Sequence, residues 1–92
     1  MRITAELSLY PLGDGRIDKV LAFIGDVRDD PRLEVVVNQL STQIRGELRD
    51  VFDAVEQALA RSFAAGGSQV LVAKFLNVDV PIASPPDLGD GE

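Results

Sequence analysis

The chain contains no cysteine, no histidine and no tryptophan. Without cysteine there can be no disulfide, no thiolate nucleophile and no thiolate metal site. Without histidine the usual general base and the commonest metal ligand are missing. Catalysis would have to rest on carboxylates, lysine, hydroxyls or the single tyrosine. The composition therefore weighs against an enzyme without excluding one, and no metal and no cofactor are expected. Positive charge is also scarce, with 9 Lys and Arg against 15 Asp and Glu and a net charge of −6. Such a surface repels phosphate backbones, so nucleic acid is not an expected partner. Cationic small molecules are favoured, weakly at long range in physiological salt. No apolar run reaches signal-peptide or membrane-spanning length, which predicts no membrane association and, most simply, a cytoplasmic protein.

What is present suffices for one domain: 92 residues, 46% of them hydrophobic. Thr4 to Tyr10 alternates strictly, with Ile3, Ala5, Leu7 and Leu9 on one side and Thr4, Glu6, Ser8 and Tyr10 on the other. Pro11 to Gly15 breaks that strand. Ile17, Val20, Leu21, Ile24 and Val27 then recur at helical spacing, predicting a helix over Arg16 to Arg28, with Asp14 as candidate cap and Asp29-Asp30-Pro31 as stop. Leu33 to Val37 reads as a β-branched strand and Gln43 to Leu48 as an alternating one. A second helix covers about Arg49 to Ala65, with Val51, Val55, Ala58, Leu59 and Ser62 on one face and Gly66-Gly67 ending it. Val70 to Leu76 is the fourth strand. The domain is assigned to residues 1–80, and the Pro-, Ser-, Gly- and Asp-rich stretch 81–92 reads as a disordered acidic tail. The order strand–helix–strand–strand–helix–strand gives a ferredoxin-like α+β sandwich, with two helices on one face of a four-stranded antiparallel sheet.

Between the second and third strands, Asn38-Gln-Leu-Ser-Thr-Gln43 bunches uncharged hydrogen-bonding side chains at a tight turn. Amides and hydroxyls suit the reading of donors and acceptors on a small neutral or cationic molecule better than covalent chemistry. Asn38, Ser41, Thr42 and Gln43 are candidate ligand-binding residues, with Ser8 and Tyr10 on the neighbouring strand. The competing role is that Ser41 and Thr42 only satisfy turn backbone groups. The last strand carries Val70, Val72 and Leu76 on one face and Leu71, Ala73 and Phe75 on the other, and Val35 to Val37 behaves similarly. Strands apolar on both faces are normally covered on both, which predicts a homo-oligomer, dimer or tetramer, built through the open sheet face. Glu6, Ser8, Gln43, Arg45 and Glu47 fall on that face, and Arg45 is expected to pair with Glu6 or Glu47.

Three stretches together, Ile3-Thr-Ala-Glu-Leu-Ser-Leu-Tyr-Pro-Leu-Gly13, Leu40-Ser-Thr-Gln-Ile-Arg-Gly-Glu47 and Lys74-Phe-Leu-Asn-Val-Asp-Val80, resemble the YkoF-like thiamine/hydroxymethylpyrimidine-binding proteins. The similarity runs over about Met1 to Pro81. It implies a ferredoxin-like fold, assembly through the sheets, and non-catalytic binding of thiamine or its hydroxymethylpyrimidine precursor for transport or salvage. Some members carry two tandem repeats; this chain resembles the single-repeat form, so a second copy would supply the other half. An aminopyrimidine offers an amine donor and ring-nitrogen acceptors that amides and hydroxyls can match, and the thiazolium of thiamine suits the π-face of Tyr10.

Other readings share the topology. An ACT-like module sensing amino acids is the leading alternative. An RNA-recognition fold would need aromatics on its central strands, where this chain has Gln43, Arg45 and Glu47. A small cofactor-independent enzyme would need Glu6, Glu47 and Lys74 to converge.

Overall fold

Alternation along β1 (Arg2–Pro11) decides the layering. Ile3, Ala5, Leu7 and Leu9 are all buried, while Tyr10 is exposed. The computed structural model describes residues 1–89, so positions 90–92 of the expected tail lie outside the described residues. After β1 come α1 (Arg16–Arg28), β2 (Glu34–Val37), β3 (Thr42–Glu47), α2 (Leu48–Ala64) and β4 (Gln69–Leu76). The strands form one antiparallel sheet in the order β2-β3-β1-β4. This is the expected ferredoxin-like α+β arrangement. The core lies between sheet and helices: Ile3, Leu7 and Ile44 from the strands meet Phe23, Val27, Val51, Val55 and Ala58 from the helices.

The register assigns every strand residue to a face, because side chains opposite one another across a pair point the same way. Ala5, Leu7 and Leu9 lie opposite Phe75, Ala73 and Leu71, so these three residues of β4 face the helices. Val70, Val72 and Leu76 face the open side and remain about half exposed. Phe75 stacks on Phe52 of α2, ring centroids 4.4 Å apart. In β2, Val35 faces the helices with Ile44 and Val36 faces out with Gln43.

Local chemistry shifts several expectations. Asp14 does not cap α1: the N-cap is Gly15, held at φ 71° without a side-chain cap bond. That left-handed conformation is cheap only for glycine, and it moves Asp14 one position too early. The buried stripe of α1 runs through Phe23 and Val27, whereas Ile17 and Leu21 point to solvent. Leu48 begins α2 rather than ending β3. Gly46 is needed for close approach, since a Cβ there would sit 2.9 Å from Leu33 Cδ2 and 3.2 Å from the Arg32 carbonyl oxygen. α2 ends at Ala64 with Ala65 as its C-cap, and Gly66 and Gly67 follow at positive φ, where the chain leaves the helix.

The open face is partly covered by the chain itself. Thr4, a buried residue on that side, donates from Oγ1 to the Val78 carbonyl (2.8 Å) and accepts from the Val80 amide (2.9 Å). Arg45 Nη1 donates to the Val80 carbonyl at 2.8 Å. Its Nε lies 2.8 Å from Glu34 and 3.3 Å from Asp79. The expected pairing of Arg45 with Glu6 or Glu47 is therefore not made; Glu34 lies directly opposite Arg45 across β2–β3. Residues 78–80 thus form a strap over one end of the sheet. Residues 81–89 form no helix or strand.

Candidate functional site

The β2–β3 turn is built by Asn38. Its Oδ1 accepts from the Leu40 and Ser41 amides at 2.9 and 3.0 Å, closing an Asx turn of the kind this short side chain favours. Asn38, rather than Ser41 or Thr42, satisfies the turn backbone. The polar side chains then form a chain across the open face. Asn38 Nδ2 donates to Gln43 Oε1 (3.2 Å), Gln43 Nε2 to Ser41 Oγ (2.6 Å), and Ser41 Oγ to Glu6 Oε2 (2.8 Å). Lys74 Nζ stands 3.5 Å from the other Glu6 oxygen. Glu6 lies opposite Gln43 on one side and Lys74 on the other. The Ser41 hydrogen bond, with help from the Lys74 charge, holds the Glu6 carboxyl below its usual pKa. Glu6 was not among the residues expected to bind ligand. Its signal was available: an acidic residue on an alternating strand, on the same face as Ser8 and Tyr10.

Thr42 departs from this network. It lies opposite Leu7 in the β1–β3 pair and so faces the helices, on the other side of the sheet from Gln43. It is only 3% exposed. Among the described residues its hydroxyl has no side-chain hydrogen-bond partner. It lines a hollow of about 130 Å³ between the turn, the end of β1 and the Phe23–Ile24 segment of α1. Ser8, Tyr10, Asn38 and Ser41 line the same hollow. The structure thus brings five of the six candidate residues to one place and leaves Gln43 on the open face.

A second hollow of about 190 Å³ lies on that open face, lined by Glu6, Ser8, Tyr10, Leu40, Ser41, Val72 and Lys74. The two hollows share Ser8, Tyr10, Leu40 and Ser41, which form the lip between them. A larger concavity of about 850 Å³ surrounds Met1, Leu48 and Phe52. It lies at the opposite end of β1 and is wide open. Three of its four carboxylates are paired: Glu47 meets the N-terminal amine at 3.3 Å, and Arg32 clasps Asp50 and Asp53 at 3.3 and 2.9 Å. Glu47 is therefore remote from Glu6 and Lys74, and the three do not converge as acid–base chemistry would require. Among the described residues, no helix is long and apolar enough to cross a membrane.

A ferredoxin-like sandwich with a polar turn beside two small hollows defines the class. The YKOF-related family matches residues 2–86. The chain belongs to that family. Among curated proteins none matches it. Similar solved structures share the fold at low identity. Protein SP2199 of Streptococcus pneumoniae is 21% identical with a TM-score of 0.77, over 90% of this chain and 92% of that one. The hypothetical protein MJ1052 of Methanocaldococcus jannascii is 24% identical with a TM-score of 0.74, over 85% and 81%. TM0486 of Thermotoga maritima, a protein provisionally assigned to thiamine biosynthesis or salvage, is 13% identical with a TM-score of 0.74, over 95% and 91%.

Proposed function

We propose that this protein binds thiamine or its hydroxymethylpyrimidine precursor without catalysis, in support of thiamine transport or salvage. One observation carries the reading: Thr42, only 3% exposed and without a side-chain hydrogen bond among the described residues, lines a hollow together with other polar residues. A ligand that gives this hydroxyl a hydrogen bond gains about 0.5–1.5 kcal/mol and is selected by it. The size of the hollow is informative. A cavity of ~150 Å³ accepts one benzene ring, so about 130 Å³ has room for a single six-membered heterocycle, and the rest of a two-ring ligand must extend outside. Thr42 supplies a hydroxyl that can donate or accept, matching the amine or a ring nitrogen of an aminopyrimidine, while Ser8 and Tyr10, whose side chains share the open face with Val72 and Val70, line the hollow at its lip. Family membership and the assignment of the Thermotoga neighbour support the same reading.

The reading includes a homo-oligomer through the open sheet face. Val70, Val72 and Leu76 leave an apolar strip on the outer strand of that face, with Leu76 beside the strap and Val70 and Val72 beyond it, and a second copy is the cover that fits it. A thermal-shift screen against thiamine-pathway compounds and amino acids tests the function. A ligand at 100 times its dissociation constant adds about 2.7 kcal/mol of stability, a clear upward shift for so small a domain. Stabilisation by amino acids and by no pyrimidine would overturn the proposal.

A further inference from the structure

We infer that β4 pairs antiparallel with β4 of a second copy across a two-fold axis, joining two sheets edge to edge into one continuous sheet. This contact is separate from any stacking of the open faces. A bare strand edge, an apolar groove beside it and a self-complementary register carry it. β4 is an outermost strand of 8 residues, and among the described residues nothing pairs with its outer side. Such an edge presents a row of unpaired N–H and C=O groups, and what satisfies them is another strand. The two edges of this sheet differ. β2 has 4 residues and begins on Glu34, held by Arg45, the short and charged form that resists pairing. β4 carries a single charge, Lys74, whose ammonium is drawn across the open face to within 3.5 Å of Glu6. On the helix side, β4 borders a groove of about 500 Å³, where Leu71, Ala73 and Phe75 meet Phe52, Leu59 and Phe63 of α2. The three phenylalanines are each about half exposed. Among the described residues that line the groove, only Glu56 is charged. An exposed apolar surface rimmed in this way marks an interaction site.

The register identifies the occupant. Residues opposite one another in an antiparallel pair point the same way, so a two-fold axis at Ala73 sets Phe75 opposite Leu71 of the second copy on the helix side. On the open side it sets Leu76 opposite Val70, and Lys74 opposite Val72, where the lysine stem lies along an apolar neighbour. An axis at Lys74 would press two ammonium groups together, and one at Val72 would leave Leu76 opposite Ser68, outside the strand. The groove follows the same symmetry. α2 runs antiparallel to β4: Phe52 stacks on Phe75 at 4.4 Å, and near the other end the Ser62 carbonyl accepts from Gln69 Nε2 at 2.7 Å. The axis at Ala73 therefore brings Phe52 toward Phe63 of the second copy at each end of the closed groove. A contact of this isologous kind closes on two copies and leaves no free edge to propagate. Leu76 belongs both to this pairing and to the strip on the open face.

The chain has no cysteine, so one introduced thiol reports a symmetric contact directly. Under mild oxidation of the full chain, Ala73→Cys should give a disulfide-linked dimer. Directly paired strand residues lie about 4.5–5.5 Å apart between Cα atoms, within disulfide reach. Asp18→Cys, on the exposed first turn of α1, is the control for random encounter. Thiols held in one complex meet at about millimolar effective concentration, so at micromolar protein Ala73→Cys should cross-link on the order of 100-fold faster than the control. Stacking of open faces alone cannot produce this, because Ala73 lies opposite Leu7 and faces the helices. In light scattering, Phe63→Glu should halve the mass of the wild-type assembly while far-ultraviolet circular dichroism stays unchanged. Ala73→Cys that cross-links no faster than Asp18→Cys would overturn the edge pairing, whatever the ligand or the open face does. So would a folded Phe63→Glu variant that keeps the wild-type mass.

Discussion

Ser41 Oγ donates to Glu6 Oε2 across 2.8 Å and so ties the β2–β3 turn to the middle of β1. The turn is thereby not a free loop. Its backbone is closed by Asn38, and its side chains are braced through Gln43 and Ser41 on a carboxylate of the central strand. A rim held in this way keeps both hollows formed before any ligand arrives, which lowers the ordering cost of binding.

The strap over the sheet makes the first prediction. Thr4→Val keeps strand propensity but deletes both hydrogen bonds to Val78 and Val80. It should lower stability by about 1–2 kcal/mol. Urea denaturation checks this, and limited proteolysis should show earlier cleavage near Val78. Truncation after Ile82 should leave stability and ligand affinity unchanged, because residues 83–89 form no helix or strand and Arg45, Thr4 and Arg2 grip only residues 78–80.

The faces of β4 make the second. Leu76 points to the open side and Phe75 stacks on Phe52 beneath the helices. Leu76→Glu should dissociate the oligomer with the fold retained, seen by light scattering as a 9.9 kDa species. Phe75→Glu should instead lower the melting temperature, costing about 2 kcal/mol or more for a charge placed against an aromatic ring at the core margin. A wild type that is already monomeric at micromolar concentration would remove the oligomer from the account.

These two residues also show what the sequence could and could not tell. Alternation in β1 is clean because one face is core and the other is polar, so its layering was legible directly. β4 is apolar at almost every position, so period two carried no information about which side is which. Only pairing with β1 resolves it. Thr42 is legible as a candidate but reads as a turn residue, because the alternating pattern reads from Gln43 whereas β3 starts one residue earlier, at Thr42. The strap was missed because Asn77 to Val80 has no periodicity. Its order comes from Thr4 and Arg45, more than thirty residues away in sequence. Ile17 and Leu21 fit helical spacing yet lie in solvent, since Phe23 and Val27 take the core positions.

Acid sensitivity makes the third prediction. Asp30, with a side chain only 12% exposed, accepts from the Arg32 amide, Nε and Nη2 at 3.0, 2.9 and 2.7 Å. These bonds hold its carboxyl below the ordinary value of 3.8, and Arg32 and Gln57 do the same to Asp53. A folded pKa below the unfolded one means stability that is fully present above about 4 and is lost as pH falls through the folded values. Asp30→Asn should therefore cost about 1–2 kcal/mol at pH 7, and the gap from wild type should shrink as pH falls below the ordinary carboxylate range and through the lowered folded value. Melting temperatures across that range check it; a gap independent of pH would contradict the assignment.

The central claim is that Thr42 offers its hydroxyl to a pyrimidine. Calorimetric titration of hydroxymethylpyrimidine into wild type and Thr42→Val measures this most directly. Valine keeps the volume and strand propensity and removes a hydroxyl that makes no side-chain hydrogen bond, so the free protein should be about as stable as wild type. Wild type should bind one pyrimidine per chain, and the variant should bind it roughly 2- to 12-fold more weakly, the loss of one neutral hydrogen bond of about 0.5–1.5 kcal/mol. A less stable variant with unchanged affinity, or a wild type that binds neither hydroxymethylpyrimidine nor thiamine, would contradict the account.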